Sequence, residues 1–166
     1  VFGRGGEEAE VLVKHGIPFE IVPGITAGIA APAYAGIPVT HRDCSASFAI
    51  VTGHRQEGKE DDVKWESLAK GIDTLAIYMG VANLPYISEK LLQFGKPAHT
   101  PVALIQSGSL ASQRTVISTL QDVVETARAE KVLNPCMIVV GEVVNYHHTL
   151  KWWEENAEEY AVGEAL

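Results

Sequence analysis

The chain has 166 residues, of which 46% are apolar and 20% are charged, a balance typical of a globular domain rather than a disordered one. Its formal net charge of −8 argues against nucleic-acid binding, because neutralising phosphates needs clustered Lys and Arg. No apolar run is long enough to span a bilayer, and the two cysteines, Cys44 and Cys136, are predicted to be buried thiols in a cytoplasmic protein.

The chain opens with a glycine-rich loop, FGRGG, followed by a helix predicted over residues 7–15. A glycine-rich loop before a helix suggests a phosphate site. Glu7 and Glu8 oppose that interpretation, because their carboxylates already occupy the positive end of the helix dipole. The sequence therefore argues against a phosphate site here.

The stretch IVPGITAGIAAPAYAGIPVTHR, residues 21–42, is the most distinctive part of the chain. A strand predicted over residues 19–22 ends at a Pro-Gly turn, and Thr26 is predicted to cap a helix of small residues that runs to Tyr34. One interpretation is a turn where a ligand approaches the backbone closely. The other is a tight helix–sheet contact that requires small side chains. The stretch by itself leaves both open.

Downstream of this stretch, apolar strands alternate with helices. That order predicts an α/β fold in which helices cover a sheet whose strands are mostly apolar on both faces. The tail with Trp152 and Trp153 is predicted to pack back on the body. The predicted strands span residues 47–52, 74–78, 101–106, 115–117 and 136–140, and the predicted helices span residues 63–70, 84–94 and 119–130.

Glycine-containing turns follow five of the predicted strands. They are Pro23-Gly24, Gly53-His54, Met79-Gly80, Ser107-Gly108-Ser109 and Gly141. Each glycine alone also fits an ordinary turn. Because ligands of open α/β sheets bind outside the carboxyl ends of strands, the five together predict a cleft lined by backbone.

Six motifs, in order, resemble the uroporphyrinogen-III C-methyltransferases of the tetrapyrrole methylase family, which also form the C-terminal module of sirohaem synthases. They are FGRGGEE, GIPFEIVPGITAGIAAPAYAGIPVTHRD, VTGH, YMG, PVALIQSGS and VVGEVV, and the resemblance covers essentially all 166 residues. It implies a tetrapyrrole methylase-like α/β fold of two domains. Residues 1–43 would be the C-terminal part of the first domain, and residues 44–166 the second domain with an acidic C-terminal tail.

The resemblance also implies an activity and a cofactor. The activity is the transfer of two methyl groups from S-adenosylmethionine (SAM) to uroporphyrinogen III, giving precorrin-2 on the way to sirohaem and cobalamin. SAM would lie between the domains and leave as S-adenosylhomocysteine, and the enzyme would be a homodimer. The family's cofactor contacts fall on Thr26, Ala27, Met79, Gly108, Pro135 and Cys136.

No catalytic residue is assigned, because the family's GxGPGD-type loop and its proposed proton-transfer acid and lysine have no match in these residues. We therefore expect an N-terminally truncated member that does not turn over by itself. Two alternatives stay open. One is a methylase of the same fold acting on a later corrin intermediate, and the other is a non-catalytic ligand-binding or dimerisation module.

Uroporphyrinogen III carries a carboxylate on each of its side chains, so cationic residues are candidates for binding it. The candidates are Arg4, His41, Arg42 and Arg55. A surface salt bridge explains each of them equally well. His147 and His148 lack spaced Cys, Asp or Glu partners, so the pair is interpreted as solvated and no metal site is expected.

Overall fold

The computed structural model describes residues 1–54 and 63–153, and its helices and strands alternate along most of the chain. The strands are β1 (Phe48–Thr52), β2 (Thr74–Tyr78), β3 (Pro101–Gln106), β4 (Arg114–Thr119) and β5 (Cys136–Val140). The helices are α1 (Gly5–Lys14), α2 (Ala27–Tyr34), α3 (Trp65–Gly71), α4 (Leu84–Gln93), α5 (Val123–Ala129) and α6 (His147–Leu150). Two 3₁₀ helices span Val81–Asn83 and Glu142–Tyr146. None of the helices in these ranges is long and apolar enough to cross a membrane.

The five strands form one mixed sheet in the order β1–β2–β5–β3–β4. β1 runs parallel to β2, whereas β5 runs antiparallel to both of its neighbours, with Ile138 paired to Ile77 of β2 and to Leu104 of β3. β4 closes the other edge antiparallel to β3. β2, β5 and β3 occupy the centre, and their bounds confirm the strands predicted from their apolar runs.

Apolar side chains pack on both faces of the sheet. One face carries a core of larger side chains contributed by the strands together with α3, α4 and α5, including Trp65, Leu91 and Val123. The other face carries smaller residues, among them Ala31 of α2 and Ala103 of β3. The predicted α/β fold with helices over an apolar sheet is confirmed.

The direction of β5 corrects one sequence prediction. Because β5 is antiparallel to β2 and β3, its final residue and Gly141 lie at the end of the sheet where β2 and β3 begin. The turns at Gly53, Met79-Gly80 and Ser107–Ser109 lie at the other end, where the amino end of β5 joins them. The prediction that all five glycine turns line one cleft is therefore wrong for Gly141.

Two predicted elements differ from the structure. Residues 19–22 form no strand, and Ile21 and Val22 remain 75% and 78% exposed. A β-branched run becomes a strand only beside a hydrogen-bonding neighbour, and no strand in the described part of the chain pairs with it. α5 starts at Val123 rather than at Thr119, because Thr119 pairs with Pro101 in the sheet.

The segment that follows β5 packs back on α2. Trp152 donates its Nε1–H to the carbonyl oxygen of Ala33 at 3.0 Å, and Trp153 donates to that of Leu110 at 2.9 Å, which confirms the predicted return of the tail. His147 is only 7% exposed and its Nδ1 donates to the Ala35 carbonyl oxygen at 2.6 Å. The interpretation of His147 and His148 as a solvated pair is therefore wrong for His147, because the carbonyl at the end of α2 gives its ring a buried partner.

Candidate functional site: a cavity at one end of the sheet

A cavity of about 580 Å³ opens where β2 and β3 end and β5 begins. Four segments form its walls: the first turns of α2, the end of β2, the loop from β3 to β4, and the approach to β5. Its lining residues are Ile25, Ala27, Ala30, Ala31, Tyr78, Met79, Ile105, Ser107, Gly108, Ser109, Leu110, Asn134, Pro135, Cys136 and Met137. The volume lies within the range of about 300–1,000 Å³ typical of small-molecule sites.

The walls of this cavity are built from backbone in an unusual conformation. Met79, Ser107 and Ser109 have φ angles of 53°, 51° and 72°, in the left-handed region that non-glycine residues rarely adopt. Each such residue costs on the order of 1–3 kcal/mol, and such residues cluster at ligand sites. The loop is held by hydrogen bonds from Ser107 N to the Pro135 carbonyl oxygen at 2.9 Å and from Ser109 N to Gln113 Oε1 at 2.8 Å.

Small residues bring two of the walls together. A Cβ added at Gly108 would lie 2.7 Å from the Cβ of Ala31, so the β3–β4 loop touches α2 only because residue 108 has no side chain. At Gly28, a Cβ would lie 3.0 Å from the ring of Tyr78. Ala27 and Ala30 face the cavity instead. The tight packing interpretation is therefore confirmed for Gly28, whereas the approach of a ligand to this stretch stays a prediction for the residues that face the cavity.

Tyr78 is the site residue that sequence reasoning missed. Its hydroxyl bonds to Thr26 Oγ1 and accepts the backbone N–H of Gly28 at 2.5 Å. The hydroxyl at the end of β2 therefore gives a backbone N–H at the amino end of α2 its hydrogen-bond acceptor. The Thr26 side chain makes no capping bond of its own. The signal lay in the YMG motif, where an aromatic residue with a polar tip ends an apolar strand.

The structure gathers the predicted cofactor residues in one place. Ala27, Met79, Gly108, Pro135 and Cys136 all line the cavity, and Thr26 lies beside it through its bond to the lining residue Tyr78. Met79 directly follows β2 and lines the cavity with 49% of its surface exposed. Their role as cofactor contacts remains a prediction.

The chemistry available inside the cavity is limited. Burial raises the pKa of the Cys136 thiol to about 12, so the thiol stays protonated at neutral pH and is a poor nucleophile. None of the described lining residues is Asp, Glu, His, Lys or Arg. The cavity can hold and orient a ligand, but these residues supply no general acid or base at neutral pH.

None of the predicted substrate cations in the described residues lines the cavity itself. Arg4 precedes α1 and pairs with Glu7 in an exposed position, two residues after Phe2, whose ring packs 5.3 Å from that of the lining residue Tyr78. His41 bridges to Ser45, whose Oγ lies 2.7 Å from Oγ1 of Thr74, the first residue of β2. His41 and its neighbour Arg42 therefore lie about 13 Å or more from the cavity end, the length of β2. Arg55 lies outside the described residues.

His41 has a defined structural setting at that opposite end. Its Nδ1 lies 3.0 Å from the hydroxyl of Tyr146, and the two rings pack with centroids 4.2 Å apart. No group of three His, Cys, Asp or Glu residues in the described ranges is placed to hold a metal ion.

Three comparisons relate the chain to known proteins. A uroporphyrinogen-III C-methyltransferase from Priestia megaterium is 66% identical over 146 residues, covering 88% of this chain and 61% of that protein. A siroheme synthase from Neisseria meningitidis serogroup C is 50% identical, covering 99% of this chain and 34% of that protein. The crystal structure of the uroporphyrin-III C-methyltransferase from Thermus thermophilus complexed with S-adenosylhomocysteine matches with a TM-score of 0.73 and 35% identity, covering 87% of this chain and 62% of that one.

The chain therefore spans less than two thirds of the length of each of these three proteins. The family model for tetrapyrrole (corrin/porphyrin) methylases matches residues 1–124, about three quarters of the chain. The chain belongs to the tetrapyrrole methylase family.

Proposed function

We propose that this chain serves the SAM-dependent C-methylation of uroporphyrinogen III to precorrin-2, and that its cavity holds the cofactor. The observation that carries the proposal is the arrangement of Thr26, Ala27, Met79, Gly108 and the Pro135-Cys136 step around one cavity. These positions come from four separate segments: β2 and β3 both end here, and the Pro135-Cys136 step joins them because β5 runs antiparallel to both.

The residues present suit a SAM-sized ligand. The cavity is large enough, its walls are mostly apolar, and its polar lining groups are hydroxyl, amide and backbone groups. When bound, SAM supplies an electrophilic methyl group on a sulfonium. The thioether of Met79 adds a soft, polarisable side chain without placing a like charge near that cation.

The chain's contribution to such a reaction is positioning. The α2 wall and the β3–β4 loop hold the ligand between two fixed surfaces, and the apolar side chains exclude water. The Cys136 thiol, protonated at neutral pH, does not compete for the methyl group as a thiolate would.

A direct assay tests the activity. The full-length gene product is incubated with uroporphyrinogen III and SAM carrying a labelled methyl group, and label in precorrin-2 is measured. Two methyl groups per tetrapyrrole are expected. Methylation of a later corrin intermediate alone would contradict the substrate, and tetrapyrrole binding without methylation would support the module alternative instead.

The cofactor assignment is tested separately by Met79→Lys. The new cation would lie beside the sulfonium, so SAM affinity measured by calorimetry should fall by at least about tenfold, equivalent to about 1.4 kcal/mol. Val13→Lys on α1 is the control, since Val13 is exposed and does not line the cavity. Equal SAM affinity in both variants would remove Met79 from the site.

The homodimer and the cytoplasmic location expected from the sequence are also part of this proposal. The family resemblance supports the first and the lone, unpaired cysteines support the second. Sedimentation of the full-length gene product at two protein concentrations measures the oligomeric state. A monomer at both would contradict the dimer.

A further inference from the structure

Trp153 contacts two elements that contribute walls to the cavity, the β3–β4 loop and α2. Its Nε1–H donates to the carbonyl oxygen of Leu110 at 2.9 Å, and Leu110 lines the cavity at the end of the loop that follows β3. Its ring packs edge-on against Tyr34, the last residue of α2, with centroids 4.9 Å apart. One side chain thus joins the β3–β4 loop to the last residue of α2, the helix whose first turns form another wall of the cavity.

The position of Trp153 relative to α2 is itself fixed by three neighbouring contacts. Trp152 donates to the Ala33 carbonyl oxygen, and the buried His147 donates to that of Ala35. At Gly36, where φ is 67°, an added Cβ would overlap the carbonyl of Leu150, so this backbone lies directly on the end of α2. Residues 147–153 are therefore anchored to the helix, and the bond from Trp153 reaches outward from that anchor to the loop.

The hydrogen bonds of Ser107 N to the Pro135 carbonyl oxygen and of Ser109 N to Gln113 Oε1 hold the loop itself, but neither bond reaches α2. The loop contacts the helix directly where Gly108 approaches Ala31. Its residues Ser107 and Ser109 have positive φ angles, a backbone conformation of higher free energy than the extended or right-handed ones. A second attachment beyond Gly108 restricts the loop where it meets the cavity. Restricting a loop before ligand arrives lowers the entropy cost of binding.

We propose that Trp153 is a positioning residue that fixes the β3–β4 loop against α2 and thereby sets the affinity of the cavity for its adenosyl ligand. This inference rests on the proposed function only in the identity of that ligand. Trp153 acts through Leu110 and Tyr34.

The test uses Trp153→Phe in the full-length gene product, which removes the N–H donor and keeps an aromatic ring against Tyr34. Tyr146→Phe is the control, because it removes a hydrogen bond to His41 at the opposite end of the sheet and Tyr146 does not line the cavity. The dissociation constant of S-adenosylhomocysteine is measured by calorimetry. Loss of one hydrogen bond should weaken binding about three- to tenfold in Trp153→Phe and by less than about twofold in Tyr146→Phe.

Hydrogen exchange of the amides of residues 107–113, measured without ligand, gives a readout that a general loss of stability would not single out. Exchange should be faster in Trp153→Phe than in Tyr146→Phe, although each variant has lost one hydrogen bond. Unchanged affinity and unchanged loop exchange in Trp153→Phe would overturn the positioning role. A wild-type protein that fails to bind S-adenosylhomocysteine would overturn the cofactor assignment instead, and faster loop exchange in Trp153→Phe would still support the attachment of the loop.

Discussion

The two ends of the sheet are built in opposite ways. At the end where β2 begins, polar groups satisfy one another: the Asp73 carboxylate accepts hydrogen bonds from Ala46 N, Ser47 N and Ser47 Oγ at 2.8–3.0 Å, and Ser45 Oγ bonds to Thr74 Oγ1 at 2.7 Å. At the end where β2 finishes, the surface is a cavity with mostly apolar walls and left-handed backbone at Met79, Ser107 and Ser109.

The difference separates groups that stabilise the fold from groups that can bind a ligand. Side chains bonded to one another at the beginning of β2 have little capacity left for a ligand, and removing one leaves its buried partner unsatisfied. At the cavity end the left-handed backbone residues cost free energy, and mostly apolar side chains line a space that the chain itself does not fill. Substitutions at the first end should therefore change stability, and those at the second should change ligand binding as well.

The largest effect is expected for Gly141→Ala, at the end where β2 begins. Gly141 has φ 143°, and an added Cβ would overlap the backbone carbonyl of Asp73. The free energy of unfolding measured in urea should fall by about 3 kcal/mol or more, because strain and overlap combine. Gly71→Ala is the control, since nothing lies within 4 Å of a Cβ there. A Gly141→Ala loss no larger than that of the control would contradict the close packing of this turn.

At the cavity end, Gly108→Ala should weaken S-adenosylhomocysteine binding as well as stability. The added methyl group meets Ala31 and forces the loop away from α2, which should cost about 1–3 kcal/mol of stability. The double variant Gly108→Ala with Ala31→Gly removes the overlap, so ligand affinity should return even though glycine lowers the stability of α2 by about 1 kcal/mol. Calorimetry on the wild type and the two variants measures this, and a double variant that binds no better than Gly108→Ala would show that the two residues do not share a contact.

A pair of Tyr→Phe variants compares the two ends with the same chemical change. Tyr78→Phe removes the hydroxyl that bonds Thr26 and Gly28 N, and Tyr146→Phe removes the one that bonds His41. Each should lower the free energy of unfolding by about 1 kcal/mol. Only Tyr78→Phe should also weaken S-adenosylhomocysteine binding, because the first turn of α2 forms a wall of the cavity. Equal ligand affinity in the two variants would contradict the separation of the two ends.

The sequence predicts an element of this fold when the determining pattern lies within that element, and fails when a pairing partner decides it. The three central strands were predicted with their observed bounds, because an unbroken apolar run both forms the strand and buries it. α4 was predicted within one residue, since Ile87 and Leu91 repeat at helical spacing on its buried face. The direction of β5 could not be predicted, because an apolar run is the same read either way and only pairing decides it.

The site was harder to predict than the fold. The family motifs indicated Met79 and Gly108 as cofactor contacts but gave no reason why residue 108 must be glycine. The reason is its contact with Ala31, which lies 77 residues earlier in the sequence. Tyr78 and His147 were missed for a similar reason. Their partners, at the two ends of α2, lie far away in the chain, and a side chain's hydrogen-bond partner is not encoded in local pattern.

The smallest effect is expected for Asp73→Asn, and its dependence on pH shows what holds the end where β2 begins. Hydrogen bonds from Ser47 and from the Ala46 N–H lower the pKa of Asp73 below its ordinary value of 3.8. A carboxyl whose pKa is lower in the folded state contributes stability above pH 3.8, and that contribution is lost as the pH falls through the folded-state pKa. At pH 7, Asp73→Asn should therefore lower the free energy of unfolding by about 1 kcal/mol, a value kept small because the carboxylate is exposed.

The difference from wild type should shrink when unfolding is repeated below pH 3.8, where the wild-type carboxylate gains a proton. Asp43→Asn, an exposed carboxylate at the same end, should show a smaller difference at pH 7, and a difference for Asp73→Asn that stayed constant across the acid range would show that its charge does not stabilise this end.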